Sequence, residues 1–219
     1  MEEIITKSII LNSKDYGEND KLAVVFSLEY GKISLKFNGV RKQKAKLKPL
    51  IQPFSLVEVE CFKRGDFFTV KTGSVIDNFP KITTDYTRTI CGYILMDIIN
   101  KVLPKNKVET EIFMSLANSL EKLETFNPYI VTIQFIIKFF ELIGETLITD
   151  LDVGHIYLDL DMGNFSSTRT PNSIEIDKRC YKALTEVNEN DSINKMTLKM
   201  LNNIFKAKYD IELTSFSFL

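Results

Sequence analysis

The spacing of apolar residues changes period once along this chain, close to Pro80, and that change limits the architectures open to it. Before Pro80 the apolar runs are short and rich in β-branched residues. Ile4 to Leu11 is the first. Asp15-Tyr16-Gly17-Glu18-Asn19-Asp20 follows as a turn cluster, and Lys21 to Glu29 then carries Leu22, Val24, Val25 and Phe26. Tyr30-Gly31 turns the chain again. Lys32-Ile33-Ser34-Leu35-Lys36-Phe37 and Leu56-Val57-Glu58-Val59-Glu60-Cys61-Phe62 alternate with period two, the pattern of a half-buried strand. Arg64-Gly65-Asp66 predicts a turn, and Phe67 to Val75 a fifth strand. Five short strands with no long helix between them predict a small antiparallel barrel or sandwich.

Beyond Pro80 the period becomes helical. Asp85 to Val102 places Ile90, Tyr93, Ile94, Asp97 and Ile98 at three- and four-residue steps, and Leu103-Pro104 ends it. Glu109 to Leu123 repeats the pattern. Asn127-Pro128 reads as a cap followed by proline at the first helical position. The helix it opens, Pro128 to Ile143, is apolar nearly all round, which predicts a buried central helix stopped by Gly144. Residues 155–162 alternate, Gly163-Asn164 turns, and Phe165 to Ile176 returns, so a small hairpin is expected at about 150–176. Two helices follow, Lys178 to Glu186 and Ser192 to Tyr209. The fold class is α+β with segregated halves, a strand domain at 1–80 and a mainly helical domain at 81–219.

Composition narrows the chemistry. The 28 basic and 29 acidic residues give a net charge of -1, so a uniformly basic coat is excluded while a local basic patch is not. No apolar run approaches the ~18 residues of a membrane span, and Met1-Glu2-Glu3-Ile4 lacks the basic start of a signal peptide. Cys61, Cys91 and Cys180 match no disulfide or metal spacing, so free thiols in a cytoplasmic protein are expected.

Catalysis finds little support. His155 is the single histidine, and no serine or cysteine motif accompanies it. The nine glycines form neither GxGxxG nor GxxxxGK[ST], so no phosphate-cradling loop is expected. Asp150, Asp152, Asp159 and Asp161 cluster, and alternation puts Asp159 and Asp161 on one strand face. A divalent ion there would suit a metal-dependent nuclease; a solvated acidic face is the blander explanation. No cofactor, no metal and no enzymatic activity are therefore expected.

One stretch stands apart in charge. In Arg41-Lys42-Gln43-Lys44-Ala45-Lys46-Leu47-Lys48, five of eight residues are basic and none is acidic. Such density attracts phosphates, because binding releases condensed counterions. Lys32 and Lys36 on the third strand, and Arg64 in the turn after the fourth, extend the candidate stripe. Phe37, Phe54, Phe62, Phe67 and Phe68 lie in the same half. Most belong to a core, but one or two on the surface would stack unpaired bases.

Ile9-Ile10-Leu11, Asp15 to Lys21, Gly31-Lys32-Ile33-Ser34, Gly39-Val40-Arg41-Lys42 and Leu50-Ile51-Gln52-Pro53-Phe54 occur in an order and spacing that resembles the start of the RecO family, bacterial recombination mediators. Leu213 to Leu219 is similar to that family's closing segment. The likeness is clear over about 4–80 and weaker over 85–145. It implies an N-terminal OB-fold barrel joined to a helical domain. It also implies a role in recombinational repair: binding single- and double-stranded DNA, annealing strands coated by single-strand-binding protein, and working with RecR to load RecA. The acidic, phenylalanine-tipped C-terminal tail of single-strand-binding protein would dock on the helical domain, with Lys138 a candidate contact. Association with the nucleoid of a bacterial cytoplasm is implied too. Many relatives carry a four-cysteine zinc site after the central helix, whereas residues 145–179 here contain no cysteine. Four nitrogen or sulfur ligands are lacking. A degenerate hairpin packed through Ile156, Leu158, Leu160 and Phe165 is expected instead. The rival reading from another class is an OB-like protein-interaction module without annealing activity, its basic loop binding an acidic peptide.

Overall fold

The computed structural model describes residues 3–64, 67–147 and 154–219, and the side chains of Arg64 and Phe67 lie outside that description. The predicted Arg64-Gly65-Asp66 turn, together with Asp150 and Asp152, falls largely outside it as well. Five strands, β1 (Glu3–Tyr16), β2 (Asp20–Ser27), β3 (Gly31–Phe37), β4 (Leu56–Arg64) and β5 (Phe67–Asp77), close into a barrel in the order β1-β2-β3-β5-β4. β1 closes it by serving two neighbours. Its first half pairs with β4, from Glu3↔Phe62 to Ile9↔Leu56, and its second half with β2, as far as Tyr16↔Asp20. The register shifts between Ile10 and Asn12, and such an irregularity bends a strand. By simple alternation Ile10 joins Val25, Leu35, Phe37 and Val59 inside the barrel, while Ile9 and Leu11 face the helices. The closing pair β3–β5 is parallel and short, Leu35↔Phe68 and Lys36↔Thr69.

β5 ends at Asp77 and the helical part begins with α1 (Pro80–Thr84). Next come α2 (Tyr86–Val102), α3 (Thr110–Leu123) and α4 (Pro128–Leu142). Asp85 caps α2 by accepting from Arg88 N–H at 2.8 Å, and Asn127 caps α4 by accepting from Tyr129 and Ile130 N–H. α4 is central, with Phe135, Ile136, Phe139 and Phe140 buried, but its Gln134, Lys138 and Glu141 stripe is exposed. The apolar sequence of α4 hid that open face. Barrel and helices share one apolar core: Phe26 packs on Phe113 at 5.7 Å between ring centroids, and Phe54 on Tyr93 at 4.9 Å. No helix of the described residues is long and apolar enough to cross a membrane.

The expected two-stranded hairpin is a three-stranded sheet, β6 (Tyr157–Asp159), β7 (Phe165–Ser166) and β8 (Ser173–Glu175), in the order β7-β6-β8. Ile156, Leu158 and Phe165 are buried in the helical core as expected, and Leu160 is half-buried against it. Asp159 and Asp161 do not share a strand face, because β6 ends at Asp159. The Asp159 carboxylate folds the turn, accepting from Asp161 N–H and Met162 N–H at 2.9 Å and from the Thr170 hydroxyl at 2.8 Å. The Met162 N–H, then the Thr170 hydroxyl, then the Asp161 N–H hold its carboxyl below the usual range. A carboxyl acidified by folding stabilises above its ordinary value, and the gain is lost as pH falls through the lowered one. Asp159→Ala is therefore expected to lower stability at neutral pH, with the deficit shrinking below about pH 4, as urea unfolding across pH would read. Two further helices, α5 (Lys178–Lys182) and α6 (Asp191–Tyr209), precede a final 3-10 turn, Thr214–Phe218.

Candidate nucleic-acid interface

The basic segment leaves β3 at Phe37 and wraps as successive tight turns, Lys42 N–H to Gly39 O, Ala45 N–H to Lys42 O and Lys48 N–H to Ala45 O. Lys48 itself opens a short 3-10 turn, Lys48–Ile51. Apolar residues at both ends tie the loop down: Val40, Leu50 and Ile51 are buried in the barrel core. Polar bonds tie it to the β1–β2 turn. Arg41 N–H donates to Asn19 O at 3.0 Å, and Gly39 N–H to Asp20 Oδ1 at 2.8 Å.

These anchors divide the predicted site residues into three groups. Lys42, Lys44, Lys46 and Lys48 are exposed, and no carboxylate of the described residues lies within ion-pair distance of them. Arg41 and Lys36 are paired within the molecule. Arg41 reaches Asp15 at 3.2 Å and the Gly17 carbonyl at 3.2 Å; Lys36 reaches Asp20 at 3.0 Å and sits over the Tyr16 ring. The Gly39 N–H and the Lys36 ammonium hold the Asp20 carboxyl below its ordinary value. The acidic turn 15–20 thus pairs with the inner cations; the outer four make no ion pair among the described residues, although Lys42 feels the Asp20 charge at longer range.

Lys32 stands apart from the predicted stripe. It is 6% exposed, and its ammonium donates to the carbonyls of Asn100 and Leu103 at the end of α2. Burial, and then the nearby Lys105 charge, lower its pKa. Helix C-termini present unpaired carbonyls that attract cations, so Lys32 clamps barrel to helix instead of meeting a ligand. Lys32→Ala is expected to reduce stability by about 1–3 kcal/mol, because buried carbonyls lose a donor. The salt dependence of DNA binding should stay unchanged; a flattened dependence would return Lys32 to the interface. Arg64 ends β4, and its side chain lies outside the described residues.

The aromatic expectation changes too. Phe37 and Phe54 are buried, and Phe62 and Phe68 are half-buried. The exposed aromatic nearest the loop is Tyr16 at the end of β1, a tyrosine that a count of phenylalanines missed.

Elsewhere, α4 and the segment after α5 border a groove of about 260 Å³ lined by Ile130, Ile137, Lys138, Leu184 and Val187. Lys138 pairs with Glu141 at 3.1 Å, and Glu186 also lines the groove, so its charge is mixed. No group of three metal-ligating side chains is assembled among the described residues. His155 is exposed and bonded to Glu175 at 2.6 Å, whereas Cys180 is buried against α6, so the two do not form part of a tetrahedral zinc site.

Strand order and the lysine-bearing loop define the class, an OB-type barrel joined to a helical body. Sequence likeness points the same way. The profile described as Recombination protein O N terminal matches residues 1–79. DNA repair protein RecO of Caldanaerobacter subterraneus subsp. tengcongensis is 24% identical over 212 residues, 96% of this chain and 83% of that protein. The protein of that name from Halalkalibacterium halodurans is 27% identical over 83% of this chain and 73% of its own length. That from Acetivibrio thermocellus is 32% identical over 55% of this chain and 48% of its own. The matched stretch thus spans only about half the length of some curated relatives. Residues 1–79 thus match the N-terminal part of RecO, and the likeness to proteins named DNA repair protein RecO runs over most of the chain.

Proposed function

We propose that this chain acts in DNA repair and recombination as a non-catalytic mediator that binds DNA through its barrel and anneals complementary single strands. The four unpaired lysines on one anchored loop carry the reading. Phosphates repel one another, and a surface presenting Lys42, Lys44, Lys46 and Lys48 lowers that repulsion for two strands at once. Contacts to phosphates position a strand without reading its sequence, so binding should be largely sequence-independent. The wider role follows the relatives' name. Work with RecR in loading RecA, and docking of the single-strand-binding-protein tail on the helical part, belong to this proposal. The α4 groove beside Lys138 is the site offered for the tail.

The rival, an interaction module without annealing activity, draws on one observation: Lys36 and Arg41 are already neutralised. Annealing of complementary oligonucleotides, bare and coated with the cognate single-strand-binding protein, decides between them. Acceleration of both is expected. Failure to bind any oligonucleotide, with retained binding of an acidic peptide, would leave the module.

A further inference from the structure

At the other end of β3 from the lysine loop lies a cleft of about 660 Å³. It lies beside Ile33, just before the first described β3–β5 pair, Leu35↔Phe68. The connection between α2 and α3 fills part of the opening, with a backbone bridge between Lys32 and Lys105 and a hydrogen bond from Asn106 N–H to Lys32 O at 3.1 Å. Tyr30, Ile33, Lys63, Phe68, Lys105 and Val108 line what remains. The Tyr30 and Phe68 rings lie 5.8 Å apart and tilted. Lys63 and Lys105 are exposed, with no carboxylate of the described residues within ion-pair distance. The rim carboxylate, Glu29, is engaged by the Thr6 hydroxyl.

We infer that this cleft takes an unstacked nucleobase of a single-stranded nucleic acid, with its flanking phosphates on Lys63 and Lys105. Two aromatic side chains and two exposed ammonium groups around one concavity match the two parts of a nucleotide. The volume suits a ligand of that size. The inference deepens the proposed function and rests on it: β3, seven residues and roughly 20 Å long, runs from cleft to loop. A strand running along β3 would engage both, within the ~4–16 nucleotides usual for one OB barrel. A duplex keeps its bases stacked and cannot fill the cleft.

The test measures binding of an oligothymidylate of about 12 nucleotides and of a duplex of equal length to the full chain. Tyr30→Ala is expected to weaken the single strand by about 5-fold or more while leaving the duplex within about 2-fold, since base–aromatic stacking is lost only there. Lys63→Ala with Lys105→Ala should lower the logarithmic salt slope for the single strand by about 1.4. Thermal melting confirms that each variant is folded; both positions of the lysine pair are exposed. Unchanged single-strand binding in both variants, or equal losses for duplex and single strand, overturns the cleft. So does loss of an acidic peptide with oligonucleotide binding retained, which would assign the cleft to a protein. If the parent chain binds neither oligonucleotide, the proposed function falls with it. If only the loop lysines matter, the cleft alone falls.

Discussion

Alanine at Lys42, Lys44, Lys46 and Lys48 together is expected to flatten the logarithmic salt dependence of single-strand binding by about 2.8, from four phosphate contacts at ~0.7 each. Over a fourfold change in salt that slope difference is about 50-fold in affinity. The fold should be unaffected. None of the four side chains has an ion pair among the described residues, and the loop is held by Val40, Leu50 and Ile51 and by the Arg41 and Gly39 backbone bonds. Arg41→Ala and Lys36→Ala should change the slope less, since a phosphate must first displace Asp15 or Asp20. Titrations at several salt concentrations, with melting curves alongside, read both quantities. A quadruple variant with the parent's slope would remove this loop from DNA binding.

The contrast between those lysines and their neighbours shows what the sequence could reveal. Alternation and turn residues exposed the barrel strands because each pattern is local, and the helix starts at Asp85 and Asn127 were legible as caps for the same reason. The loop was legible because five like charges in eight residues need no partner to be noticed. The fate of Lys32 was not legible, since its acceptors lie 68 and 71 residues away and arrive only when α2 docks on the barrel. Arg41 and Lys36 looked like ligand contacts until folding brought Asp15 and Asp20 beside them. The β3–β5 pairing was equally hidden, because period-two patterning fixes which face a residue takes and not which strand lies beside it. The cleft beside that pairing was hidden too, its Tyr30, Lys63, Phe68 and Lys105 belonging to four separate segments. Asp159 and Asp161 mark a limit of alternation: a strand ending at Asp159 turns the next carboxylate elsewhere.

Gly31→Ala is expected to be the most destabilising single exchange at the seam between barrel and helices. Gly31 has φ +66°, where an alanine costs about 1–2 kcal/mol. Its added methyl would stand 1.9 Å from the Lys107 carbonyl oxygen and 2.5 Å from the carbonyl carbon, both rigid backbone. Forcing them apart adds roughly 1–3 kcal/mol and pulls on the neighbouring Lys32 clamp. Together the terms predict a fall in melting temperature of roughly 5–15 °C for a chain of this size. Gly17→Ala is the control. It shares the positive φ, +61°, but nothing lies within 4 Å of the added carbon, so only the conformational cost applies. Thermal melts of the two variants should therefore separate clearly; equal melts would mean the seam is not tight. Because Tyr30 and Asn106, the chain neighbours of Gly31 and Lys107, line the cleft, Gly31→Ala should also weaken single strands while the contribution of the four loop lysines to the salt slope persists. A variant that loses both together would show that loop and cleft are not independent contacts.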